Sequence, residues 1–102
     1  MIFFKSYGTD NGSVVAMCDQ ELIGRVLRSG KLLVDLDRYA SFYKGELLSE
    51  DEAAERLGSE KIYSANVVGE RSIGIVVKCG LACADDVMSV GGVPFIQIYA
   101  IV

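Results

Sequence analysis

The chain has 102 residues, 51% of them apolar and 24% charged, with fourteen acidic and ten basic side chains for a net charge of −4. That length supports one hydrophobic core and is too short for two, and the composition lies far from the disordered range. The acidic balance argues against a chain that wraps nucleic acid non-specifically, and the lack of histidine removes imidazole-based dyads and triads and the commonest zinc nitrogen ligand.

In chain order, Ile2 to Tyr7 and Ser13 to Cys18 are β-rich runs. Between them lies Gly8-Thr9-Asp10-Asn11-Gly12, which predicts an N-terminal antiparallel hairpin. Asp19 then stands as the cap of a helix from Gln20 to about Arg28, with Leu22 and Val26 turned inward, joined by Ile23 and Leu27, and Ser29-Gly30 as its stop. Leu32 to Leu36 reads as a short strand, and Tyr39 to Gly45 as an aromatic loop leading into Glu46-Leu47-Leu48.

Ser49-Glu50-Asp51-Glu52 is a capping box, in which Ser49 bonds the third helical amide and Glu52 reaches back, so a short helix should run to Leu57 or Gly58. Ile62 to Ala65 is expected to be extended, and Asn66 to cap a further helix through Cys79, closed by Gly80. Within it, Ile73-Gly74-Ile75-Val76-Val77 has the β-branched character of a strand, but Lys78 and the Gly80 stop favour a helix. Asp85 to Val90 reads as one more helical turn, ended by Gly91-Gly92-Val93-Pro94. Phe95 to Val102 is apolar on both alternating faces except at Gln97, which predicts a strand inside the sheet. The sum is an α+β fold: a single domain over residues 1–102, with an N-terminal hairpin, a mixed sheet, three or four short helices and a central C-terminal strand. No linker, repeat, low-complexity stretch or charge block interrupts it.

The start, Met1-Ile2-Phe3-Phe4-Lys5, lacks a secretion signal and no apolar run approaches bilayer length, so a cytoplasmic protein without membrane contact is expected. Three cysteines, Cys18, Cys79 and Cys83, make no even framework and no metal set, and all three are expected to be buried and inert. No cofactor motif and no catalytic constellation is present.

Four segments occur together: Cys18-Asp19-Gln20-Glu21-Leu22-Ile23-Gly24-Arg25, Phe42-Tyr43-Lys44-Gly45-Glu46-Leu47, Asn66-Val67-Val68-Gly69-Glu70-Arg71 and Gly92-Val93-Pro94. In this order and over nearly the whole chain, they resemble the small archaeal family known as domain of unknown function 424 (DUF424). The resemblance implies an archaeal cytosolic protein and brings no activity with it.

The candidate site residues carry a structural and a functional reading each. Asn66 with the amides of Val68 and Gly69 would make an anion site at a helix start, with Arg71 as the clamp and Glu70 as the base of a small enzyme or sensor. The structural alternative is a helix cap with Gly69 allowing close packing. Cys18 beside Asp19 sits where a thiolate could be favoured, yet Asp19 opposes the charge and no histidine can act as base. Phe42, Tyr43 and Lys44 either stack on a partner or anchor their loop. Gln97 either bonds within the sheet or points into a pocket. Three functions follow: a non-enzymatic binding or adaptor module with a protein partner, an accessory factor in RNA handling or translation, and an anion- or nucleotide-binding enzyme or sensor near Asn66 and Arg71. The RNA reading requires Arg25, Arg28, Lys44 and Arg71 to share a face. The apolar last strand leaves a homodimer open.

Overall fold

The hairpin predicted at the N-terminus organises the whole molecule. In the computed structural model, which describes residues 1–99, β1 (Ile2–Thr9) and β2 (Gly12–Asp19) pair antiparallel from Ile2↔Asp19 to Thr9↔Gly12. After β2 the chain forms a small antiparallel ribbon, β3 (Val26–Ser29) with β4 (Leu32–Asp35), then the one-turn helix α1 (Ala40–Tyr43) and the short strand β5 (Glu46–Leu48). Helix α2 (Glu50–Gly58), β6 (Ile62–Val68), α3 (Glu70–Lys78), β7 (Met88–Val90) and β8 (Val93–Tyr99) complete it. The main sheet has six strands in the order β5-β1-β2-β6-β8-β7, with β2 and β6 parallel and the other neighbours antiparallel.

Each face of this sheet carries its own core, two where the length alone suggested one, because a sheet covered on both sides buries both faces. On the first face Ile2, Phe4, Val15, Met17, Val67 and Ile96 lie beneath α2 and α3, which contribute Ala53, Leu57, Ile73 and Val76. On the second, Ala16, Cys18, Val68 and Phe95 lie beneath Leu27 of the ribbon, Leu36 and Tyr43. The period-two alternation of β2 and β6 sends successive side chains to opposite cores.

The capping box forms as expected: Glu52 N donates to Ser49 Oγ and Ser49 N donates to Glu52 Oε1. The β-branched Ile73 to Val77 run is helical, within α3. Three expectations require correction. The helix expected from Gln20 to Arg28 is only a 3-10 turn over Gln20–Leu22, followed by β3. Leu27 is buried while Val26 is 46% exposed, an alternation that belongs to a strand. Gly24 N donates to Leu36 O and Leu36 N to Arg25 O, which ties the segment to β4 instead of to itself.

The helix expected to be capped by Asn66 starts three residues later, at Glu70 with Gly69 as its cap. Asn66, Val67 and Val68 are paired with β2 on one side and β8 on the other, and two ladders outweigh a local Asn cap. Asp85 to Val90 is a 3-10 turn at Ala84–Asp86 and then strand β7. Gly91 and Gly92 have φ of 60° and 80°, the pair of positive values that a tight two-residue hairpin requires, so they turn the chain into β8 instead of ending a helical region. The aromatic loop contains α1. Strand β8 lies inside the sheet between β6 and β7, and Ala100 to Val102 of the expected strand lie outside the described residues.

Candidate functional site

Asn66 and Arg71, joined in one motif in the sequence, belong to different places in the fold. Asn66 lies mid-strand with its side chain on the second face, whereas Gly69 ends the strand at the start of α3. The donors expected to hold an anion there are already occupied. Gly69 N donates to Pro94 O at 2.9 Å, and Val68 is paired in the sheet. Asp19, the last residue of β2 and 3% exposed, brings its carboxylate to the helix start: Oδ1 accepts from Ser72 N at 2.9 Å and Ser72 Oγ at 2.8 Å, and Oδ2 accepts from Arg71 N at 3.1 Å. Asp19 therefore caps α3, a helix fifty residues onward, and not the helix expected after it. The amide anion site is corrected to an internal cap, because a buried carboxylate already satisfies the positive end of the helix.

This cap explains Gly69. Its φ is +108°, and a Cβ there would stand 2.3 Å from Asp19 Cγ, so both backbone angle and space demand glycine. Arg71 pairs with Glu21 and lies 3.8 Å from Asp19 Oδ2. A backbone hydrogen bond, with help from Arg71, holds the Glu21 carboxyl below its usual range, and Glu21 in turn pushes the Arg71 guanidinium up. Asp19, Glu21, Arg25, exposed Glu70 and Arg71 share an open depression of about 420 Å³. Three carboxylates against two guanidinium groups do not make an anion site there.

Cys18 is fully buried and its thiol is pushed up to about 12 by burial and by the carboxylates of Asp19 and Glu21. It stays protonated at neutral pH and is no nucleophile there. Cys79 and Cys83 are exposed, contrary to expectation, because they flank the Gly80 turn after α3 instead of facing the core.

The remaining candidates converge on the second face. Helix α1 places the Phe42 ring against Tyr7 in a stack, with centroids 5.3 Å apart and planes 7° from parallel, and Tyr43 meets Phe42 edge-on at 5.1 Å. The Tyr7 hydroxyl donates to Phe42 O, and Lys5 Nζ donates to Ser41 O while lying over the Tyr7 ring. Tyr43 is buried, which pushes its phenol up to about 12. Lys44 sits exposed at the end of α1.

Beside these rings lies a depression of about 400 Å³, walled by Leu33, Asp35, Tyr39, Phe42 and Tyr43 and by Phe95 of the sheet. Its floor carries a polar pair: Gln97 Nε2 donates to Asn66 Oδ1 at 3.0 Å. Gln97 thus does both things expected of it in alternative, bonding within the sheet and facing a pocket. Sequence reading missed Leu33 and Phe95 as wall residues. The register Asn66↔Gln97 and Val68↔Phe95 that assembles them is a non-local fact, and the uniformly apolar run Leu32-Leu33-Val34 carries no local signal for which side chain faces outward.

Comparison with known proteins bears on all of this. The family described as protein of unknown function (DUF424) matches residues 7–101. The chain belongs to the DUF424 family. The fold of this DUF424 chain is similar to a solved structure described as an uncharacterized conserved protein from Methanopyrus kandleri, with a TM-score of 0.81, 30% identity, and coverage of 96% of this chain and 90% of that one. No curated protein matches the DUF424 chain.

Among the described residues of this DUF424 protein no group of three or more His, Cys, Asp or Glu side chains could hold a metal ion, and no helix is long and apolar enough to cross a membrane.

Proposed function

We propose that this protein is a non-enzymatic recognition module that binds its partner on the second face of the sheet. The observation that carries the reading is the convergence of Phe42, Tyr43, Asn66 and Gln97, from three separate stretches of sequence, on one aromatic-walled depression. Leu33 and Tyr39 beside it are 52% and 55% exposed, and apolar groups grouped around a few polar ones are the usual make-up of a binding surface. The chemistry of the titratable groups points away from catalysis: Cys18 and Tyr43 hold their protons at neutral pH, and Asp19 is committed to three hydrogen bonds. An archaeal cytosolic setting is supported by the likeness to the Methanopyrus kandleri protein and by an odd number of cysteines, which suits a reducing compartment.

The test is affinity capture of the tagged protein from archaeal cytosol, with captured RNA and proteins both identified, comparing the wild type with Tyr39→Ala and Asn66→Ala on the second face and with Glu55→Gln on α2. Loss of the captured species in the two second-face variants and retention in Glu55→Gln is the expected result. Equal capture by all forms refutes the assignment of the binding surface.

A further inference from the structure

We infer that the aromatic depression is a nucleobase site, so that this module takes unpaired bases of single-stranded RNA. The inference rests on the reading that the second face is the binding surface, and four observations specify the occupant. First, the floor is a planar donor and acceptor edge. The single bond between Asn66 and Gln97 leaves the Asn66 amide hydrogens and Gln97 Oε1 available, and such side-chain amides match the hydrogen-bonding edges of bases. The opposite orientation of the two amides would also leave both a donor and an acceptor.

Second, the walls present rings. Phe42 is already held in its stack on Tyr7 and Tyr39 is half exposed, so a flat group can stack without ordering a loose side chain. Third, the depression is open and about 400 Å³, which suits a ring laid on a surface.

Fourth, the charge is distributed in a way the net value conceals. Residues 26–44, which supply the ribbon and α1, hold four basic residues against two acidic, a net +2. Residues 46–60, which supply α2 on the opposite face, hold six acidic against one basic, a net −5. Arg38 lies over the Tyr39 ring and Lys5 over the Tyr7 ring, while Arg28 is paired across the ribbon with Leu33. The charged residue on the wall of the depression itself is Asp35, whose Oδ1 accepts from Asp37 N and Arg38 N. The cations stand on neighbouring ring and ribbon residues, where they can meet the phosphates that flank a stacked base. The shared face expected of Arg25, Arg28, Lys44 and Arg71 is corrected: Arg25 and Arg71 lie in the other depression, with Asp19 and Glu21, and the cations near the aromatic face are Lys5, Arg28 and Arg38. Duplex RNA is disfavoured, since its bases are stacked and paired and cannot reach a floor set behind rings.

The experiment is fluorescence anisotropy of the intact protein with labelled decamers of rA, rC, rG and rU, a DNA decamer and an RNA duplex of equal length. Binding of single-stranded RNA at least as tight as DNA, with one base preferred and the duplex at least about tenfold weaker, is the expected pattern. Tyr39→Ala, at an exposed position that does not endanger folding, should weaken all four RNA decamers by about tenfold through lost stacking. Asn66→Asp, which replaces donors by an acceptor, should change the order of preference among the bases. Four outcomes overturn the inference: no binding of any decamer, tighter binding of DNA, equal binding of the duplex, or binding indifferent to both variants. If no decamer binds while Tyr39→Ala still abolishes capture of a protein from cytosol, the nucleobase inference falls and the recognition module remains.

Discussion

Replacing Gly69 by alanine should cost the domain much of its stability, for two separable reasons. The backbone at Gly69, with φ of 108° and ψ of 152°, lies in a region open only to glycine, worth about 1–3 kcal/mol for another residue. The added Cβ would also lie 2.3 Å from Asp19 Cγ. To clear it the carboxylate must leave Arg71 N, Ser72 N and Ser72 Oγ, bonds worth about 1.5–3 kcal/mol each to a charged acceptor when intact. Partial loss of these with the torsional cost gives about 4 kcal/mol or more, much of the roughly 5–15 kcal/mol that holds a domain of this size. The melting temperature should fall by about 15–30 °C, at about 4–8 °C per kcal/mol. The assay is urea and thermal unfolding by circular dichroism of Gly69→Ala, Asp19→Ala and the double variant. With the Asp19 carboxylate absent, Gly69→Ala should cost only its torsional part, so the two changes couple by about 2 kcal/mol. A cost below about 1 kcal/mol for Gly69→Ala, or strict additivity, would refute the cap across the fold.

Gly74→Ala, in α3 where a Cβ meets nothing within 4 Å, should stabilise by about 0.5–1 kcal/mol, measurable in the same urea titration. Ser49→Ala should cost about 1 kcal/mol by removing the cap that receives Glu52 N; an unchanged unfolding midpoint would count against it. In native protein at pH 8, two thiols, Cys79 and Cys83, should react with iodoacetamide, and Cys18 only after unfolding, as peptide mass mapping would reveal. The folded pKa of Cys18 is raised from 9.0 to about 12 and that of Tyr43 from 10.0 to about 12. The native state then binds more protons than the unfolded state from about pH 9 upward, so stability is complete below pH 9 and declines toward pH 12. Cys18→Ala should flatten the early part of that decline, and an unaltered profile would contradict it.

The local signals written in adjacent residues were legible without coordinates. The hairpin loop at Gly8 to Gly12, the capping box at Ser49 and the Gly80 stop each form from neighbours in sequence, and each is present. The helix expected at Gln20 to Arg28 and the early start at Asn66 failed for one shared reason: their backbone groups find partners far along the chain. Those partners are β4 in the first case and both β2 and β8 in the second, and strand pairing of that kind overrides a local cap or a short helical pattern. Of the candidate residues, Asn66, Gln97 and the neighbours Phe42 and Tyr43 are far apart in sequence, and their union in one depression rests on the Asn66↔Gln97 register and on α1 folding over β1.

By itself the sequence determined the family, the α+β class, the hairpin and the lack of imidazole chemistry, since these follow from composition, short-range pattern and motif order. Tertiary structure alone decided that Asp19 caps α3, that Gly69 exists to make room for it, and that a chain of net −4 keeps a net +2 segment, residues 26–44, beside its aromatic face. The physical reason is that these depend on which distant residues meet, and such meetings are settled by sheet register and by the two cores, one on each face, that the register creates.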